Sequence, residues 1–248
     1  MCCFSGTVKF VGSTRIFARM TETSRQAIVY QMKYGADREL AMILPLPVSE
    51  GTAEDALRFI NLKSYPAFFD DLRSGFPQPL PEATRNAGDL APKSLKVETV
   101  GEFEASFVPK PADFDRLDAR FRIPKATWDK IPLYADYGFA VFKLRKDAQS
   151  VHPMAFTFPT RHPDKLFFPT VHIHDGEVHE KEEFDHALYC QVNRGGMFAM
   201  MKWDESDQPA GGFTKVEKSA GLLVKDKHVY RKLMAGIRKN EDVFLATT

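Results

Sequence analysis

A continuous apolar run, Ala41-Met42-Ile43-Leu44-Pro45-Leu46, constrains the fold more than any other segment. Successive side chains of a β-strand point to opposite faces, so an uninterrupted apolar strand has no face suited to water. It must lie between two layers. A membrane-spanning helix needs about 20 apolar residues, and the longest candidate, Leu40 to Val48, is short and carries Pro45 and Pro47. Upstream, Thr14–Arg19 and Ala27–Tyr34 are rich in β-branched and aromatic residues and read as strands. In the second, Ile28, Tyr30, Met32 and Tyr34 share one face while Ala27 and Val29 lie on the other. Both faces are partly apolar, which places this strand inside a sheet.

Helical signals follow. Thr52 stands three residues before Asp55, an approximate capping arrangement, and Ala53, Ala56, Leu57 and Ile60 recur at helical spacing. Pro66 opens a second short helix, with Phe69 and Leu72 on one side and Gly75 ending it. The stretch from Phe76 through Pro92 holds four prolines and makes a long loop or linker. Residues 76–94 are therefore the place for a subdomain boundary in a chain that otherwise reads as one domain over 1–248. Leu95–Val100 and Glu102–Val108 pattern as a hairpin turning at Gly101. A short helix after Pro111 carries Phe114, Leu117 and Phe121. Further strands are expected at Phe139–Leu144, Met154–Phe158, Leu166–His174, Glu177–Glu180, Ala187–Val192 and Met197–Trp203. Val229, Leu233 and Ile237, at four-residue steps, predict a closing amphipathic helix. Many strands and a few grouped helices define an α+β class with mostly antiparallel sheets.

Charge narrows the function classes. The 34 basic residues nearly cancel the 33 acidic ones, leaving a net charge of +1. Such a chain has no long-range field to draw it to nucleic acid or an anionic membrane, and neither partner is expected. The three cysteines, Cys2, Cys3 and Cys190, are too few for a disulfide framework. Free thiols and the lack of a secretory signal point to the cytoplasm. No Gly-x-Ser-x-Gly elbow or phosphate loop is present.

Two polar constellations carry chemistry. The first is at the amino terminus. Removal of Met1 places a thiol and a free α-amine on Cys2. Their ordinary pKa values, about 8.5 and about 7.7–8.0, let the amine accept the thiol's proton near neutrality. The opening Met1-Cys2-Cys3-Phe4 and the segment Ile16-Phe17-Ala18-Arg19-Met20 resemble the cysteine-type N-terminal nucleophile (Ntn) hydrolases, which include bile-salt hydrolases and penicillin V acylases. The resemblance covers roughly the first twenty residues. Ala18 and Met20 stand where that family carries Gly and Asn. It implies Cys2 as nucleophile, Arg19 as the guanidinium beside it, and, from Asn193-Arg194, Asn193 as an oxyanion donor. A small-molecule amide substrate and no cofactor go with it. The opening Met-Cys-x-Phe-Ser and the segment Ala41–Val48 also look like an uncharacterised bacterial family. The plain alternative is that Cys2 and Cys3 are small apolar residues starting a strand.

The second constellation is Val171-His172-Ile173-His174-Asp175-Gly176-Glu177-Val178-His179. Asp-Gly between alternating residues signals a two-residue hairpin. That register places His172, His174, Glu177 and His179 on one face and Ile173 and Val178 on the other. Three imidazoles and a carboxylate have the composition of a site for a divalent metal such as Zn, Fe, Cu or Mn. Asp185 and His186 are near enough in sequence to orient such ligands. An amphipathic hairpin with its histidines in water explains the same alternation. Three readings result: an amidohydrolase, a metal-binding protein or metal-dependent enzyme, and a non-catalytic binding domain.

Overall fold

A computed structural model describes residues 2–22, 24–77, 104–119, 122, 129, 131–146, 152–173, 177–192 and 200–247. In chain order these form β1 (Cys2–Phe4), β2 (Phe10–Glu22), β3 (Arg25–Gly35), β4 (Leu40–Leu46), β5 (Arg58–Asn61) and α1 (Phe68–Ser74). There follow β6 (Ala105–Val108), β7 (Gly138–Leu144), β8 (Met154–Pro159), β9 (Lys165–Phe168), β10 (His172–Ile173) and β11 (Lys181–Cys190). The last are β12 (Asp204–Glu205), β13 (Tyr230–Lys239) and β14 (Val243–Ala246). Short 3₁₀ turns, such as Pro111–Arg116 and Pro132–Tyr134, punctuate the strands. Most of the proline-rich stretch 76–94 lies outside the described residues, as does the hairpin turn expected at Gly101.

Two large sheets stack face to face. The first has the order β10-β1-β4-β7-β6, the second β12-β13-β11-β2-β3-β8-β5, and β14 pairs with β9 as a separate ribbon. Every residue of β4 is buried, as its apolar run requires. Pro45 is tolerated there because β1 pairs with β4 only at Met42 and Ile43, so the missing N–H falls past the end of that short neighbour.

The faces of β3 divide as its alternation dictates. Ile28, Tyr30, Met32 and Tyr34 join the core between the sheets. Ala27 and Val29 join a second core with Phe17 and Tyr189, covered by Phe68, Phe69 and Leu72 of α1 and by Leu222, Leu223 and Val229. The second sheet is thus clad on both faces over its centre, and α1 is held there by edge-on rings, Phe17 against Phe68 at 5.7 Å and Phe68 against Phe69 at 5.2 Å.

The fold is mainly β, with fewer helices than the patterning suggests. The amphipathic helix expected around Val229–Ile237 is the strand β13, and the helix expected over Thr52–Ile60 is a turn leading into β5. The short helix after Pro66 is present as α1. Most strand pairings are antiparallel, as expected, but the two large sheets are mixed: β1 runs parallel to β10, and β2 parallel to β11. Among the described residues no helix is long and apolar enough to cross a membrane.

Candidate functional site

The residues singled out from sequence fall in different parts of the molecule. Cys2 starts β1 in the five-stranded sheet, paired in register with His172. Arg19 lies on β2 in the other sheet. Its guanidinium donates to the carbonyls of Gly221 at 2.6 Å, Leu222 at 2.9 Å and Met20 at 3.2 Å. These bonds tie β2 to a turn in which Ala220 and Gly221 both have positive φ, 50° and 79°. Burial lowers the Arg19 pKa. A fork so occupied is a structural staple. Asn193 lies outside the described residues.

Arg19→Ala is expected to cost about 1.5–3 kcal/mol, the scale of charge-assisted bonds to buried carbonyls. Arg19→Lys is expected to recover less than half of that loss, since a lone ammonium cannot fork between two carbonyls. Urea unfolding midpoints of the three proteins check it.

The histidine hairpin takes another form. His172 is buried on β10, while Glu177 and His179 are exposed and belong to no strand. His174 lies outside the described residues. Asn240 joins the two ends, donating through Nδ2 to the His172 carbonyl at 2.9 Å and the His179 carbonyl at 3.0 Å, and accepting from His172 N–H at 2.7 Å. The His172 side chain turns inward to His186 on β11, with an Nε2–Nε2 separation of 3.0 Å. One imidazole donates there and the other accepts.

Asp185 extends this contact to the bulge in β2. One carboxylate oxygen accepts the Ser13 N–H, where Ser13 has a φ of 53°, and the other lies 3.6 Å from His186 Nδ1. Burial opposes charge on Asp185, but hydrogen bonds from His186, Ser13 and Thr14 hold its pKa below the usual carboxylate range. The pair therefore clasps the two sheets together. Among the described residues no group of three or more His, Cys, Asp or Glu is placed to hold a metal ion. The metal-binding reading is not supported by the described members of the set: core packing between the sheets takes His172, while Glu177 and His179 are exposed and off any strand.

A cleft opens where local patterning carries no signal. It lies between β5, the edge of the seven-stranded sheet, and β6, the edge of the five-stranded sheet. Its volume is about 300 Å³, with Phe59, Ile60, Ala105, Phe142, Met154 and Ala155 as walls and Lys63 and His152 among its polar residues. Phe59 is 41% exposed and meets Phe142 edge-on at 5.7 Å. Burial, and secondarily Lys63, lower the His152 pKa against a hydrogen bond to the Pro153 carbonyl. The site suits an apolar side chain entering from an extended partner. Its walls come from segments about a hundred residues apart, so local patterning could not reveal it.

The architecture belongs to a class of mainly β, two-sheet proteins, and β1, which begins at Cys2, and β2, which carries Arg19, lie in different sheets. Within that class, solved structures of baculovirus P35 share the fold. The crystal structure of baculovirus P35 aligns with a TM-score of 0.57 and 14% identity, over 97% of this chain and 99% of that one. A chain of the crystal structure of the caspase-8/P35 complex aligns with a TM-score of 0.50 and 13% identity, over 95% of this chain and 96% of that one. No protein-family model matches the sequence, and no curated protein matches it. The likeness of fold over nearly the whole chain overturns the resemblance to Ntn hydrolases, which rested on about twenty residues, and with it the hydrolase reading.

Proposed function

We propose that this chain is a non-catalytic protein-binding domain whose partner is a cysteine protease of the caspase class. The observation that carries the reading is the correspondence of fold, end to end, with P35, a protein whose structure is known in complex with caspase-8. A protein partner replaces the small-molecule amide substrate expected from the amino terminus. The occupied fork of Arg19 agrees with this, since a guanidinium donating to three carbonyls has little left to orient a substrate. An apolar cleft open between two sheet edges is also a surface for polypeptide rather than for a small polar ligand.

Mixing the full chain with active caspase-8 at micromolar concentration is expected to give a complex that co-elutes on size exclusion. Phe59→Asp is expected to leave the fold intact, because the ring is substantially exposed, and so to serve as a probe of the cleft. If caspase-8 and other caspases all elute separately from the folded wild-type chain, the reading is wrong.

A further inference from the structure

We propose that the outer edge of β13 is a strand-addition site for an extended polypeptide that alternates acidic and apolar residues and docks antiparallel. In the sheet order β12-β13-β11, β12 pairs with β13 only at Tyr230 and Arg231. From Lys232 to Lys239, β13 is therefore an edge among the described residues.

The direction of its backbone groups follows from the ladder. Asn240 N–H donates inward to Glu180 C=O at 2.9 Å, just past the register pair Lys181–Lys239. On the other side Ser206 N–H reaches the Val229 carbonyl at 2.8 Å. Antiparallel residues alternate between inward and outward bonding. Even-numbered residues thus bond to β11, while Leu233, Ala235 and Ile237 turn their N–H and C=O outward. The Ala235 carbonyl accepts Arg238 Nε at 3.1 Å, a contact an incoming strand would displace.

Side chains sort with the same period. On one face Leu233 is 58% and Ile237 77% exposed. On the other lie Lys232 and Arg238, joined by Lys202; burial, then Lys202 and Arg238, lower the Lys232 pKa. Glu182 stands opposite Arg238 on β11, but neither Lys202 nor Lys232 has an ion-pair partner among the described residues. Lysines on an edge commonly guard it against aggregation. A merely guarded edge would not expose two large hydrocarbon side chains beside them.

A second copy is a poor occupant. Antiparallel pairing of two β13 strands about Ala235 sets Lys232 against Arg238 twice, and directly opposed like charges destabilise a sheet. A strand with carboxylates on that face and apolar side chains against Leu233 and Ile237 satisfies both faces together.

The test uses the full chain and a fluorescein-labelled, end-blocked peptide of about eight residues alternating Glu and Val, followed by anisotropy. In antiparallel addition the valine N–H groups face β13. N-methylating the valines is expected to weaken binding more than tenfold, and N-methylating the glutamates to leave it within about threefold. Lys232→Glu combined with Arg238→Glu, shown folded by circular dichroism, is expected to weaken binding more than tenfold. Absence of binding, equal tolerance of both methylated peptides, the reverse order of the two, or displacement by heparin with equal loss in both peptides overturns the proposal. So does a dimer in sedimentation that is abolished by the same double substitution.

Discussion

Asp242→Ala is expected to lose about 3–5 kcal/mol of folding stability, because three hydrogen-bond donors lose one acceptor together. The carboxylate accepts Thr170 N–H at 2.8 Å and Val171 N–H at 3.1 Å on one oxygen, and the Tyr134 hydroxyl at 2.5 Å on the other. Thr170 Oγ1 meanwhile donates to the Glu241 carbonyl at 2.8 Å, so the segment before β10 is fixed to the segment before β14 through these groups. Alanine leaves both backbone N–H groups and the phenol without partners in a place water reaches poorly.

The amide replacement separates shape from charge. Burial pushes the Asp242 carboxyl above the usual carboxylate range, against the pull of Tyr134 and the backbone donors. A folded-state pKa above the unfolded one means that the folded protein binds the proton more tightly. Stability therefore falls as pH rises from the ordinary carboxylate value through the raised one, and the whole penalty is present above it. Asp242→Asn keeps one oxygen for the two N–H groups and turns its own Nδ2 toward the Tyr134 oxygen. It is expected to lie within about 1 kcal/mol of the parent in acid and to gain on it as pH rises toward neutrality. Urea unfolding of parent, Asn and Ala proteins from about pH 4 to pH 8 gives the three curves. A parent that gains on the Asn variant with rising pH would reverse the sign and refute the account.

Gln26 is the second position where one side chain holds a junction. Fully buried on β3, its Nε2 donates to the Phe167 carbonyl at 2.7 Å and its Oε1 accepts Phe167 N–H at 3.0 Å. The amide imitates a neighbouring strand for β9, whose other edge is taken by β14. Gln26→Ala is expected to cost about 3 kcal/mol, two orphaned backbone groups plus the lost packing. Gln26→Glu is expected to be worse than alanine near neutral pH, where a buried carboxylate faces the Phe167 carbonyl, and to recover in acid, where the protonated acid can donate again. Thermal unfolding of the two variants at about pH 4 and pH 8 distinguishes them. Equal stability of the Glu variant at both pH values would show that the site is open to water.

The errors of pattern reading have specific causes. Val229, Leu233 and Ile237 are spaced by four, which is close to one helical turn and also two strand repeats, so they share a face in either structure. Burial settles the case: Val229 is covered, while Leu233 and Ile237 are exposed on an edge strand. The turn expected at Asp175-Gly176 lies outside the described residues, but the segments on either side of it do not pair as a ladder. His172 pairs in parallel with Cys2 and packs on His186, and Asn240 rather than a ladder holds His179 nearby. The resemblance at the amino terminus failed because a few residues beginning a strand say little about what surrounds the sulfur.

By itself the sequence determined what depends on neighbours along the chain. The apolar run of β4 demanded two covering layers, the alternation of β3 assigned its faces, and Pro66 to Gly75 marked α1. Only the tertiary structure decided which strands meet. Ala187 of β11 comes beside Arg15 of β2, and Arg19 reaches Leu222, across separations that no local period encodes. Side-chain periodicity states which face must leave water, because that depends on each residue's own solvation. The identity of the surface that receives the face depends on the joint packing of the whole chain, and there the cleft and the free edge are made.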